Sequence, residues 1–497
     1  MTGELLFIGG DLSGIQKFIY NISSKRAMVS LKGRSAYLKT FTEEVCNEIL
    51  NKIGCTPSQE NDMLIYCSGG KFYLQVPDTP SNREIIDEVR LETEKRLWNE
   101  HKGQLSMNIA YVPFHYMGDQ VTVGHETGEI GILWKHISEK FNALKSQKFK
   151  SQLVNDYNGF FEVQKVGGED AKVCQITGIE GAEVFPSPFD DDKEAMCVLK
   201  SVKNQIDLGL RLRNEQGFKM LEEYAGNTYL GILRMDVDGL GARFIKGFGS
   251  MEQYRKFSSA LQKFFDADKG NLSELQQKLH DYLHIVYAGG DDIFVVGRWD
   301  KVIVFAEEVS KKFKEYCASV LNDSDLSISG GVAIVNPKFP IAKAAEMAGE
   351  AEESAKKYNN GEKNAFNMLG ESVSWKEEFD YVKSYKDQFV DLINNQGLSR
   401  SILHKIKSYA AMVKENQLIE AENKIGNAKR KPNLSYMWHT TYYLTRFMGK
   451  EKSNYAVHDF CKDLRDKQLL TPAKFCLMSL AARWAELELR EIQNNNQ

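Results

Sequence analysis

The chain lacks the marks of several protein classes. None of its eight cysteines (46, 55, 67, 174, 197, 317, 461 and 476) stands in a CxxC pair, which argues against a disulfide frame and reads as thiols in a reducing compartment. No uncharged apolar run approaches the ~18 residues of a membrane helix, and the start Met1-Thr2-Gly3-Glu4 lacks the basic-then-apolar layout of a secretory leader. Membrane association is therefore not expected, and the cytoplasm is the expected location. Bulk basic charge is missing too: 64 Lys+Arg against 68 Asp+Glu give a net charge of −4, so the chain as a whole does not advertise nucleic-acid binding. With 42% hydrophobic and 27% charged residues over 497 positions, neither disorder nor a collagen-like repeat is possible, and the length suggests three or four globular domains.

What is present is an internal duplication. LLFIGGDLSGIQKF (5–18) is an apolar strand that ends at Asp11, followed by a turn and an amphipathic stretch; YLGILRMDVDGLGARF (229–244) repeats this, ending at Asp236. Aligning Asp11 with Asp236 sets Ser13 opposite Asp238. Further on, MLIYCSGGKFYLQVP (63–77) and LHIVYAGGDDIFVVG (283–297) each read as two short strands joined through Gly-Gly. Charged helical stretches (82–101 and 300–321) and further strands (104–114 and 326–337) follow in both. This order of strand, helix, hairpin, helix and strand is the split βαβ, ferredoxin-like arrangement, an α+β fold with the first strand and the hairpin central. The copies span 1–145 and 223–377. Residues 146–222, with Pro186-Ser187-Pro188 and the acidic run Asp190-Asp191-Asp192, read as a small insert domain. Apolar positions near helical period make 378–497 a helical bundle.

In the second copy, GGDD is either part of a metal-dependent nucleotide site or a plain hairpin turn with solvated acids, and the strand ending in Asp-x-Asp upstream favours the site. Residues i and i+2 of a strand share a face, so Asp236 and Asp238 point together toward the hairpin that bears Asp291 and Asp292. Carboxylates converging at adjacent strand ends repel one another unless a cation lies among them, and hard oxygen ligands suit Mg²⁺ or Mn²⁺. Gly289 and Gly290 let a triphosphate approach the turn. In the first copy the positions of Asp291 and Asp292 are held by Lys71 and Phe72, and Ser13 replaces the second upstream acid. That half is expected to lack a metal cage. It either binds a second nucleotide, with Ser13 bonding its phosphate or ribose, or is a structural duplicate in which Ser13 forms a turn. Lys25-Arg26 with Lys32 and Arg34, and Lys429-Arg430-Lys431, are either contacts to RNA or a neighbouring subunit or plain surface charge.

The stretches GDLSGIQKFIYNISSKRAMVSLKGRSAYL, GILRMDVDGLG, AGGDDIFVVGRW and AAEMAGEAEESAKKYNNGEKNAF resemble the large subunit of type III CRISPR effector complexes, Csm-type (type III-A) branch, and the resemblance covers nearly the whole chain. It implies two palm domains of nucleotidyl-cyclase type and synthesis of cyclic oligoadenylates from ATP once guide RNA captures a target transcript. It also implies other effector subunits as partners, with guide and target RNA reached through the complex. The metal-dependent chemistry passes to Asp291 and Asp292, with Asp236 and Asp238 upstream. Related diguanylate-cyclase palms contact triphosphate through a late Ala-Lys pair, which Ala355-Lys356 matches. Two departures from the family matter. The first palm strand begins within ten residues of Met1, so an N-terminal HD nuclease domain, and single-stranded DNA cleavage with it, is not expected. Of the insert cysteines often used for zinc, only Cys174 and Cys197 are present, so zinc is not expected either. The rival readings are a non-catalytic scaffold of the same ribonucleoprotein and a stand-alone diguanylate cyclase. GGDD-Ile in place of GGDEF argues against the latter.

Overall fold

The computed structural model describes residues 4–22, 26–55, 62–161, 172–189, 195–425, 430–450, 454–468 and 472–495. Lys25, Lys429 and the Asp190-Asp191-Asp192 run lie outside them. Two compact units divide the chain, Met1–Glu350 and Ala351–Gln497.

Two sheets organise the first unit. The first is built from β1 (Leu5–Ser13), β2 (Leu64–Ser68), β3 (Lys71–Pro77), β4 (Ser106–Met117), β5 (Gln120–Val123) and β6 (Glu126–Gly128), in the order β2-β3-β1-β4-β5-β6. After the small insert hairpin of β7 (Glu183–Phe185) and β8 (Met196–Val198) comes the second sheet. Its strands β9 (Leu230–Val237), β10 (Leu283–Gly289), β11 (Asp292–Arg298) and β12 (Ile328–Val335) lie in the order β10-β11-β9-β12. The first strand of each copy is central and antiparallel to both neighbours. Only one strand of each hairpin joins it there; β2 and β10 lie at the outer edge of this four-strand pattern.

Both faces of the central strands are covered, because successive side chains point to opposite sides. Leu6, Ile8 and Leu12 of β1 enter the core with Leu31, Leu38 and Phe41 of the helix Ala27–Lys52. Phe7, on the other face, meets Trp134 of the helix Ile132–Lys145 at 4.7 Å between ring centroids. That helix has no counterpart among the expected elements, since the 3.6-residue spacing of Leu133, Trp134, Ile137 and Phe141 sits next to the insert boundary and is short. In the second copy, Leu230 and Ile232 share the core with Ile341, Ala344, Ala345 and Ala348, and Gly231 lets the helix Trp299–Tyr316 approach so closely that a Cβ there would lie 2.9 Å from the Trp299 Cα.

The copies cover each other's edges. An uncovered edge strand exposes a row of backbone groups open to further pairing. Gln262, on the helix Met251–Phe265, donates to the Cys67 carbonyl of β2 at 2.7 Å. Reciprocally, the Lys32 ammonium donates to the Ile285 carbonyl of β10 at 3.2 Å, and burial pushes its pKa down to about 8 against the pull of Asp268. Arg34 is 1% exposed and donates to the Phe18 and Asn21 carbonyls; Arg26 lies over the Phe189 ring. Three of the four basic residues at 25–34 thus have internal structural partners, which argues against RNA contact there. Arg430 pairs with Glu415 at 3.5 Å.

In the second unit, β13 (Ala365–Met368) and β14 (Glu371–Ser374) form a hairpin, followed by the helices Glu378–Asn395, Ser401–Ile425, Ser435–Lys450, Tyr455–Asp463 and Pro472–Asn495. Phe379, Phe389, Ile402, Leu480 and Leu489 are among its buried residues. This is the bundle that the apolar periodicity predicts. No helix among the described residues is long and apolar enough to cross a membrane.

Acid should destabilise the first unit. His101, 3% exposed, is bonded through Nε2 to the Tyr37 hydroxyl at 2.7 Å, and burial, with Arg34 and Arg96 adding repulsion, pushes its pKa down to about 4. Between pH 6.5 and 4 the unfolded chain therefore takes up a proton that the folded chain refuses. The contribution is complete above pH 6.5 and falls by roughly 3 kcal/mol as the pH drops through that window. Melting temperatures recorded from pH 7.5 to 4.5 should show the loss, with a shallower slope for His101→Gln.

Candidate active site

Register places the first pair of carboxylates. Asp292, the first residue of β11, is directly opposite Asp236 of β9, and Ser329 of β12 flanks Asp236 on its other side. Directly opposed residues of antiparallel strands have Cα atoms about 4.5–5.5 Å apart, so the two side chains emerge together at one strand end. Arg234 lies one period of two behind Asp236, and its guanidinium is 3.9 Å from the Asp292 carboxylate. Arg234 is absent from the sequence-based site, although the alternation Arg234, Asp236, Asp238 puts it on the same face and was the available signal.

Asp238 has different partners. Its Oδ2 accepts hydrogen bonds from the Ser327 and Ser329 hydroxyls at 2.7 and 2.9 Å, and its amide donates to the Ser327 carbonyl at 2.9 Å. The first copy repeats the arrangement with altered chemistry: Ser13 Oγ accepts from Asn108 Nδ2 at 3.0 Å, opposite Ser106. In both copies the residue at the end of the first strand accepts from a donor at the last strand, a carboxylate from two hydroxyls in the second and a hydroxyl from an amide in the first, so the junction is kept with different groups. Both Asp238 and Ser13 therefore fasten a strand end.

Asp291 turns toward the first copy. It lines a cleft of about 260 Å³ together with Asp11, Tyr66, Lys71, Trp134 and Lys145. Lys145 ends the helix Ile132–Lys145 and pairs with Asp11 at 2.7 Å. Desolvation works against the Lys71 ammonium, but Asp291 above all, with Asp11 and Asp236, holds its pKa above the ordinary value. Burial, reinforced by the acids nearby, pushes the phenols of Tyr66 and Tyr287 far up, so both stay protonated hydrogen-bond donors.

The two Gly-Gly turns touch. A Cβ on Gly69 would lie 2.9 Å from the Gly289 carbonyl oxygen and 3.1 Å from the Gly290 Cα. Gly290, at φ +70°, donates its amide to Ser68 Oγ at 3.2 Å. These glycines thus permit backbone-to-backbone apposition of the copies, in addition to leaving room at the turn.

Among the described residues no three His, Cys, Asp or Glu side chains come close enough to hold a metal ion by themselves. The opposed pair Asp236 and Asp292 suits Mg²⁺ or Mn²⁺ in a second way, since Mg²⁺ is commonly bound by one or two carboxylates with substrate phosphates and water completing the shell. Lys356 belongs to the second unit, where its ammonium is 2.6 Å from Glu352. In the insert, the Thr177 amide donates to Cys174 Sγ at 3.4 Å, and Cys197 lies on β8.

Residues 4–163 match the family described as Csm1 subunit domain B, and residues 229–367 match the second palm domain of Cas10/Cmr2. The chain is 27% identical over 473 residues to a CRISPR system single-strand-specific deoxyribonuclease Cas10/Csm1 (subtype III-A) of Enterococcus italicus, covering 81% of this chain and 59% of the relative. The protein of the same description from Methanocaldococcus jannaschii is 25% identical, with 75% and 60% covered. The chain thus spans about 60% of the length of these curated relatives. Among solved structures, a Csm1–Csm4 cassette in complex with cA4 superposes with a TM-score of 0.65 at 19% identity, covering 98% of this chain and 70% of the other. The same cassette with pppApA gives 0.66 at 18% identity, with 98% and 69% covered. At these identities the superpositions establish a shared fold.

Proposed function

This chain belongs to the Cas10/Csm1 family of CRISPR subtype III-A proteins, and from that premise we propose that its paired palms form a nucleotidyltransferase that makes cyclic oligoadenylates from ATP. The reading rests chiefly on the opposition of Asp236 and Asp292 at a strand end beside the contact of the two Gly-Gly turns. Support for the substrate comes from Csm1–Csm4 cassettes of the same fold with one ATP and with pppApA.

In the reaction, the 3′-oxygen of one ATP forms a bond to the α-phosphorus of another, the α–β phosphoanhydride breaks, pyrophosphate leaves and the hydroxyl proton passes to water. Asp236 and Asp292 would hold Mg²⁺ or Mn²⁺, which supplies Lewis acidity toward the phosphoryl group. The chain's other groups position and neutralise. Lys71 and Lys145 offer ammonium groups to the triphosphate entering the first-palm cleft, while Trp134 and Tyr73 give that cleft an aromatic wall. Tyr66 and Tyr287 stay protonated and remain hydrogen-bond donors near the acids. Asp238 and Ser13 keep the strand ends in register, and Asp291 faces the partner palm. The sequence-based division into palms at 1–145 and 223–377, an insert at 146–222 and a helical domain from 378 belongs to this proposal, as does a triphosphate contact by Lys356.

Other type III effector subunits are the proposed partners, with guide and target RNA held through the complex. The deoxyribonuclease activity named for the relatives is not carried over. Both His-Asp pairs lie at the surface, with His280 3.6 Å from Asp281 and His458 3.5 Å from Asp459. The test is to assemble the complex with matching target RNA, supply ATP and Mg²⁺ or Mn²⁺, and analyse products by mass spectrometry. Cyclic oligoadenylate that requires target RNA is the expected result. No product from ATP would favour the scaffold reading, and product from GTP alone the diguanylate-cyclase reading.

A further inference from the structure

The duplicated hairpins carry opposite charges at one equivalent position. Gly69-Gly70-Lys71 of the first matches Gly289-Gly290-Asp291 of the second, and the two turns are in backbone contact. Where related elements meet, equivalent positions approach each other. Two carboxylates there would repel, whereas an ammonium facing a carboxylate attracts. Lys71 and Asp291 line the same cleft. Asp11, opposite Lys71 in the β1–β3 register, already has Lys145 at 2.7 Å. Although Asp291 is adjacent in sequence to Asp292, no three acids of this region gather into a cation site.

We propose that Lys71 is a positioning residue that reaches across the palm interface and holds Asp291 away from the Asp236–Asp292 pair until a nucleotide occupies the first-palm cleft. The triphosphate then takes over the ammonium, and Asp291 is released to become the third carboxylate of the cation site. Cation binding at the second palm is thereby coupled to nucleotide binding at the first, and the coupling is reciprocal by linkage. The degenerate GGKF hairpin is then a sensor of the second substrate. This inference rests on the nucleotidyltransferase reading, but it concerns binding rather than turnover.

Mn²⁺ titration of the full chain, followed by electron paramagnetic resonance without any nucleotide, tests it. Lys71→Met should bind Mn²⁺ at least about fivefold more tightly than the unmodified protein, the direction expected when a unit positive charge leaves a carboxylate site. Lys71→Arg should behave like the unmodified protein. Lys145→Met removes the same charge from the same cleft and should change the affinity less than about twofold, because its partner is Asp11. Adding Asp291→Asn to Lys71→Met should abolish the gain. Unchanged or weaker Mn²⁺ binding by Lys71→Met with an unaltered melting temperature overturns the proposal, as does a gain that survives in the double variant. A complex that binds Mn²⁺ in the expected pattern yet makes no oligoadenylate would overturn the catalytic reading and leave this coupling standing.

Discussion

Asp292→Asn should abolish oligoadenylate synthesis while leaving the fold intact. The substitution keeps size and shape, and it removes half of the opposed carboxylate pair that β9 and β11 place at one strand end. Charge stabilisation of a phosphoryl-transfer transition state by a bound cation amounts to several kcal/mol, so a loss of about 10³-fold or more is expected. Asp236→Asn should match it. Asp238→Asn should act differently, because Asp238 accepts hydrogen bonds from Ser327 and Ser329 and fastens the β9–β12 junction. It should lower the melting temperature and reduce synthesis less than either of the other two. Initial rates of product formation by the assembled complex, beside thermal melts of the three variants, decide the ordering. Equal losses at all three positions would place Asp238 in the cation site after all.

The second large effect should come from a glycine with no reactive group. Gly69→Val puts a Cβ 2.9 Å from the Gly289 carbonyl oxygen and forces a β-branched residue to φ +59°. Backbone atoms cannot swing aside as a long side chain can, so the two hairpins must separate. Strain and lost packing should cost about 2–4 kcal/mol, and synthesis should fall to background, because Asp291 and the first-palm cleft no longer face each other. Gly118→Val is the matched control. Its φ is +63° and a Cβ there meets nothing within 4 Å, so it bears the dihedral strain without the clash. If both variants melt at the same temperature and stay active, contact between the turns has no part in catalysis.

Much of this architecture was legible in the chain. The repeated strand-turn-helix openings at 5–18 and 229–244, and the Gly-Gly hairpins that follow, fixed the ferredoxin-like order because a period of two and Gly-rich turns are local signals. The alternation of Asp236 and Asp238 was equally local. That signal did not give the partners, since sharing a face does not say which neighbour a side chain meets. Asp238 found two serines, one just before β12 and one on it, 89 and 91 residues away. Arg234 was overlooked, although the same alternation carries it, because an arginine within an apolar strand has no function until its neighbour across the sheet is known.

Sequence alone determined the element order, the two-fold repetition, the position of the acids at strand ends and the helical character of the C-terminal region, all of which depend on neighbours a few residues apart. Only the tertiary structure decided that Lys71 and Asp291 line one cleft, that Lys145 closes on Asp11 and that each copy's helix covers the other's edge strand. Those partners are brought together by the packing of one copy on the other, and an interface between sheets leaves no periodic trace in either strand.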